Sequence, residues 1–140
     1  ISNNKWVYLK DKEYEMPNIA MGIKQFGIIY ALIKEGYLSK EKILIIDEPE
    51  VHLHPKWQIE YAKLIVKLVK KGIRVLVTSH SPFFIGALEI LSNDLHTNFY
   101  LAIKENNYSI IKEANLNEIY ELLSESIDTL EEMQIESQQW

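Results

Sequence analysis

The chain has 140 residues, enough for one domain with a real core and little more. Its 47% hydrophobic and 25% charged content is that of an ordinary globular protein, and no apolar run is long enough to cross a bilayer. No secretory leader is legible and cysteine is absent, which excludes disulfides and thiolate metal sites and sets a cytoplasmic expectation without a membrane partner. The net charge of −5 is unevenly spread: residues 1–104 carry 14 basic and 11 acidic groups, whereas residues 105–140 carry 1 and 9. A nucleic-acid groove requires a strongly basic surface, so DNA is expected to be reached only through parts of a protein not contained in this chain.

The chain opens at Ile1 in a polar region, which suggests a fragment or a processed product. Trp6 to Leu9 is a short β-prone run, and a charged turn follows it. Beyond Pro17, Phe26, Ile29, Tyr30 and Ile33 recur at helical spacing until Gly36 offers a C-terminal cap. Ile43 to Ile46 is a short continuous apolar run, the pattern of a parallel strand buried on both faces. Pro55 opens a second helix with Trp57, Tyr61, Leu64, Ile65 and Leu68 on one side; Lys70, Lys71 and Gly72 end it. A second buried strand, Ile73 to Val77, leads to a third helix at Pro82 with Ser81 as its N-cap. Asn98 to Ile103 and Tyr108 to Ile111, joined through Glu105-Asn106-Asn107, form a predicted hairpin, and an amphipathic helix with an acidic outer face follows over 115–134. This order predicts a single α/β domain over 1–140 with ligand chemistry at the carboxyl ends of its strands.

Two clusters stand at those ends. The first strand runs directly into Asp47-Glu48-Pro49-Glu50, the Walker B arrangement. Asp47 is suited to hold Mg²⁺ through water, because Mg²⁺ keeps several waters and takes few protein carboxylates. Glu48 is suited to orient or deprotonate an attacking water. Asp, Glu and Pro also commonly end strands for no chemical reason. One strand further on, Val77-Thr78-Ser79-His80-Ser81 places His80 where it could face the same crevice and hydrogen-bond a phosphate oxygen. A lone histidine is more often satisfied within its loop; here the strand–helix–strand spacing ties it to Asp47 and Glu48.

Read together, ILIIDEPEVHLHP at Ile43–Pro55 and VTSHSPF at Val77–Phe83 resemble the ABC-type ATPases of the OLD-like and SMC/RecF-like group. The stretch after the carboxylate pair, with Trp57-Gln58, is similar to AAA-type ATP-binding proteins of bacterial defence systems, which work in phage defence or DNA repair. The resemblance implies the C-terminal lobe of a P-loop NTPase head, a mainly parallel sheet flanked by helices, followed by a hairpin and a helix. It implies ATP and Mg²⁺ as cofactors, a homodimer closing over the nucleotides, and in some systems a nuclease partner. By position, Asp47 matches the metal aspartate, Glu48 the catalytic glutamate and His80 the switch histidine. Glu50 to His54 matches the D-loop along the dimer interface, which gives Glu50 and His54 a nucleotide-facing role.

Asn18 to Lys24 resembles the signature motif at residues 18–36, which touches the γ-phosphate bound on the opposite subunit. Asn18, Gly22 and Lys24 are its implied contacts, Gly22 permitting close approach and Lys24 presenting a cation. Ala20 stands where the family usually has serine, so that side-chain contact is lost; the alternative for this segment is an ordinary helix start. No Gly-x-x-x-x-Gly-Lys-Ser/Thr occurs in the 140 residues, and the resemblance implies that the phosphate cradle lies upstream of them, on an N-terminal lobe. His52-x-His54 lacks the thiolates typical of a structural zinc site and reads better as part of the loop. The expected function is that of an ATP-binding and ATP-hydrolysing head fragment, with the isolated chain inert. The alternative is a degenerate head kept as a non-catalytic interaction module.

Overall fold

A computed structural model describes residues 21–106 and 108–124. The Trp6–Leu9 run, Asn18, Ala20 and residues 125–134 of the expected C-terminal helix lie outside the described residues. Helix α1 spans Met21–Lys34, strand β1 Ile43–Ile46, helix α2 Pro55–Lys70, strand β2 Arg74–Val77 and helix α3 Pro82–Leu91. Strands β3, Tyr100–Glu105, and β4, Tyr108–Glu113, follow, and residues 116–124 are helical. No helix among the described residues is long and apolar enough to cross a membrane.

The element ends follow from local chemistry. Gly36 at φ 70° and Gly72 at φ 88° take up the left-handed backbone that follows α1 and α2, a conformation open to glycine because it has no Cβ. Helix α2 opens on Pro55, whose fixed φ suits a first helical position, with His54 as N-cap. Helix α3 opens on Pro82, and the Ser81 hydroxyl caps it by accepting from the Phe84 amide at 3.4 Å. The hairpin turns through Asn106 at φ 51°, a positive φ of the kind that short β-turns demand of asparagine or glycine.

Strands β1 and β2 pair in parallel, Ile43 opposite Arg74 and Ile46 opposite Val77; β3 and β4 form a separate antiparallel pair. Leu44, Ile46, Val75 and Val77 pack on a core of Ile29, Tyr61, Ala62, Ile65, Leu68, Phe84 and Ala87. The Phe26 ring meets Tyr61 edge-on at 5.0 Å and Trp57 at 5.9 Å, an arrangement favoured by the ring quadrupoles. Burial raises the Tyr61 phenol to about 12.

The expectation that both strands are buried on both faces is corrected here. Ile43, Ile45 and Leu76 are 55%, 68% and 51% exposed, because the residues packing on the strands cover only the face that carries Leu44, Ile46, Val75 and Val77. On α1 the apolar stripe is likewise covered in part: Ile29 is buried, whereas Tyr30 and Ile33 are exposed.

Two neighbouring phenylalanines test this packing. Phe84 is 0% exposed and Phe83 is 58% exposed. Phe84→Ala is expected to cost about 3–5 kcal/mol in urea unfolding, and Phe83→Ala under about 1 kcal/mol. Equal costs would contradict the placement of the core.

Candidate functional site

The parallel ladder extends one step past the strands themselves. The Thr78 amide donates to the Ile46 carbonyl at 3.1 Å, and the Glu48 amide donates to the Thr78 carbonyl at 3.2 Å. This brings the residues following β1 and those following β2 out of the sheet side by side. The Thr78 hydroxyl accepts from the Glu48 amide at 3.2 Å and donates to Asp47 Oδ1 in a short hydrogen bond. One threonine thereby fixes both acidic residues.

Glu48 has φ 42°, uncommon for a residue with a Cβ, and a cost that persists only where surrounding bonds enforce it. Here the two contacts to Thr78 enforce it. The Glu48 carboxylate meets His80 Nε2 at 3.1 Å, with the two side chains 41% and 85% exposed. The structure therefore places Asp47 and Glu48 at the end of β1 and brings His80 against Glu48.

The loop from Pro49 to His54 turns back on itself. The Val51 amide donates to the Glu48 carbonyl and the Leu53 amide to the Glu50 carbonyl, while Pro49 is fully buried. Glu50 turns inward: its Oε1 accepts from the Ser79 hydroxyl at 2.5 Å and from the His80 amide at 2.9 Å. His52 also has positive φ, at 67°. His54 Nδ1 accepts from the Lys56 amide at 3.3 Å, so its ring has an internal use as a helix cap. Gln58 is buried, donating to the Leu53 carbonyl at 3.1 Å and accepting from the Ser81 hydroxyl at 2.6 Å.

Gly22 and Lys24 lie in the first turn of α1, and Gly22 stands against this loop. A Cβ on Gly22 would come within 2.5 Å of Leu53 Cδ2, so a larger residue there would displace that side chain. Gln25 donates to the Val51 carbonyl at 3.3 Å, a second tie between α1 and the loop.

Thr78, Ser79 and Gln58 were not singled out as site residues by the sequence reading. Their signal was membership of the stretches that carry the family resemblance, Thr78 and Ser79 in Val77–Phe83 and Gln58 beside Trp57. As for Mg²⁺, Asp47 is exposed at the strand end and Thr78 engages only one of its oxygens, which suits an ion that takes one carboxylate and completes its shell with water and phosphate.

Comparison with known proteins places these residues in a family. The family model for an AAA domain, putative AbiEii toxin, Type IV TA system, matches residues 7–86. The uncharacterized protein MJ1542 of Methanocaldococcus jannaschii is 31% identical over 120 residues, covering 81% of this chain and 14% of that protein. Septu protein PtuA of Bacillus thuringiensis is 36% identical over 74 residues, covering 45% of this chain and 18% of PtuA. The chain thus spans under a fifth of the length of these curated relatives. A solved structure from work on ATP-driven dimerization and DNA-stimulated activation of SMC ATPases superposes with a TM-score of 0.54 at 13% identity, over 88% of this chain and 66% of that one. At that identity the likeness speaks for a shared α/β fold.

The Thr78 hydroxyl gives a direct test of the geometry. Thr78→Val keeps the shape and removes both hydroxyl bonds, for an expected loss of about 1–3 kcal/mol in urea unfolding. Thr78→Ser keeps the hydroxyl and should lose under about 1 kcal/mol. Equal losses for the two variants would show that the hydroxyl bonds are not what holds Asp47 and Glu48.

Proposed function

The chain belongs to the family of AAA domains described as putative AbiEii toxin, Type IV TA system, and we propose that it supplies the hydrolytic half of an ATP site. The observation that carries this reading is the meeting of Glu48 with His80 at 3.1 Å beside an Asp47 pinned by Thr78. A base, a metal ligand and a phosphate-sensing donor at the ends of two paired parallel strands are what ATP cleavage asks of this side of a site.

In this reading Asp47 helps hold Mg²⁺, partly through water. When bound, Mg²⁺ neutralises charge on the β- and γ-phosphates. Glu48 orients the attacking water and takes its proton, the one oxygen held by His80 leaving the other for that task. His80 Nε2, 3.1 Å from a Glu48 oxygen, would have a γ-phosphate oxygen as a second partner once nucleotide is present. The high exposure of the imidazole leaves it room to serve either partner.

The P-loop would come from residues outside these 140, and β1 and β2 would belong to a larger, mainly parallel sheet flanked by helices, with the chain as its C-terminal lobe. The open face of Ile43, Ile45 and Leu76 is compatible with further cover of that kind. ATP would close two copies into a homodimer, with Asn18, Gly22 and Lys24 of one copy, together with His54 and the exposed part of its loop, facing the nucleotide of the other; Glu50, turned inward, would support that loop from within. A role in phage defence or DNA repair, with a nuclease partner, is what the motif resemblance of Ile43–Pro55 and Val77–Phe83 implies and is part of the same proposal.

Glu48→Gln in the intact protein is expected to lower kcat for ATP about 10²- to 10⁴-fold while ATP binding is retained. Unchanged turnover would remove Glu48 from the chemistry, and an intact protein without any ATPase activity would favour an interaction module. The isolated 140 residues should show no MgATP binding by calorimetry; micromolar affinity would contradict the half-site reading.

A further inference from the structure

The position of His80 presents a physical problem. Its side chain is 85% exposed, so packing does not hold the imidazole 3.1 Å from Glu48. Its placement must come from the backbone that carries it. The His80 amide donates to Glu50 Oε1 at 2.9 Å, and the preceding Ser79 hydroxyl donates to the same oxygen at 2.5 Å. Glu50 is only 6% exposed and follows Glu48 by two residues, with the buried, conformationally stiff Pro49 between them. The contact closes a small ring: Glu48, Pro49, Glu50, the His80 backbone, the His80 imidazole, and Glu48 again.

A second strut braces the same segment from the other side. The Ser81 amide donates to Ser79 Oγ at 3.1 Å, and the Ser81 hydroxyl donates to Gln58, which returns to the Leu53 carbonyl of the first loop. The second oxygen of Glu50 is buried without a partner among the described residues. Burying an unsatisfied carboxylate oxygen is costly, and the bonds made by the first oxygen account for its being kept there.

We propose that Glu50 is a positioning residue for His80: its buried carboxylate sets the distance between Glu48 and the imidazole by clamping the Ser79–His80 backbone to the loop that carries Glu48. This rests on the ATPase reading above and gives Glu50 a task distinct from touching nucleotide. Glu50 acts through His80, so its effect on turnover must vanish when the imidazole is gone.

The experiment is a double-mutant cycle in the intact protein with ATP turnover and the KM for ATP as readouts. Glu50→Ala is expected to lower kcat about 10- to 100-fold, the scale of a small misplacement of a reacting group, with KM changed by less than about threefold. Glu50→Gln retains an oxygen acceptor of the same reach and should restore kcat to within about fivefold of the parent. In a His80→Ala background, adding Glu50→Ala should change kcat by less than about twofold, since residues acting as one unit are not additive. A full additional loss in that background overturns the inference and leaves the ATPase reading standing, as does a Glu50→Gln as slow as Glu50→Ala. If His80→Ala alone leaves turnover unchanged, the assigned role of His80 fails, and this inference with it. Should Glu50→Ala not fold, Ser79→Ala enters the same cycle: it removes one of the two clamping bonds, with an expected loss of about 3- to 10-fold that again disappears without His80.

Discussion

Everything at the site depends on the parallel pairing of β1 with β2 and on its continuation past the strand ends. The Thr78 amide reaches the Ile46 carbonyl and the Glu48 amide reaches the Thr78 carbonyl, so two chain segments leave the sheet in fixed register. Slipping that register by one residue would turn every strand side chain to the opposite face. Asp47 would lose Thr78, and the apolar residues that pack on α2 and α3 would face outward. The core and the acidic cluster are thus set by the same few backbone hydrogen bonds.

Beyond the sheet, polar contacts join the two segments. Glu50 ties the first loop to Ser79 and His80, Gln58 ties it to Ser81, and Thr78 ties back to Asp47 and Glu48. Charge-assisted and buried bonds of this type are worth about 1.5–3 kcal/mol each, enough to offset the 1–3 kcal/mol or so that a non-glycine residue at positive φ costs. That balance explains how Glu48 and His52 can sit at positive φ in a loop that nevertheless has one shape. His80, by contrast, is left exposed and Glu48 half-exposed, open to solvent and to an incoming phosphate.

Much of the architecture was legible in the sequence. The Pro55 and Pro82 starts, the Ser81 cap, the Gly72 stop and the Asn106 turn are local, set by residues whose backbone preferences act within a few positions. The order of strand ends also brought Asp47, Glu48 and His80 into view as a group. What escaped was contact between residues far apart in sequence: Thr78 with Asp47 lies across 31 positions and Ser79 with Glu50 across 29. An apolar run such as Ile43–Ile46 signals a strand without saying which faces are covered, so Ile45 could be read as buried and is found exposed. His54 shows the same limit, since its ring also serves to cap α2. Family membership adds what neither pattern nor geometry provides, namely that such a domain occurs within proteins several times longer than this chain.

The central claim is that Asp47 and Glu48 stand beside the metal of a bound MgATP. Iron can replace Mg²⁺ and, with ascorbate, cut the backbone at the nearest residues, which reads the metal position directly. With the intact protein, Fe²⁺ and ATP, the account predicts a nucleotide-dependent cut at Asp47 and its immediate neighbours that disappears in Asp47→Ala. Cleavage that spares the segment from Ile43 to Glu50, or that persists unchanged in Asp47→Ala, would contradict it.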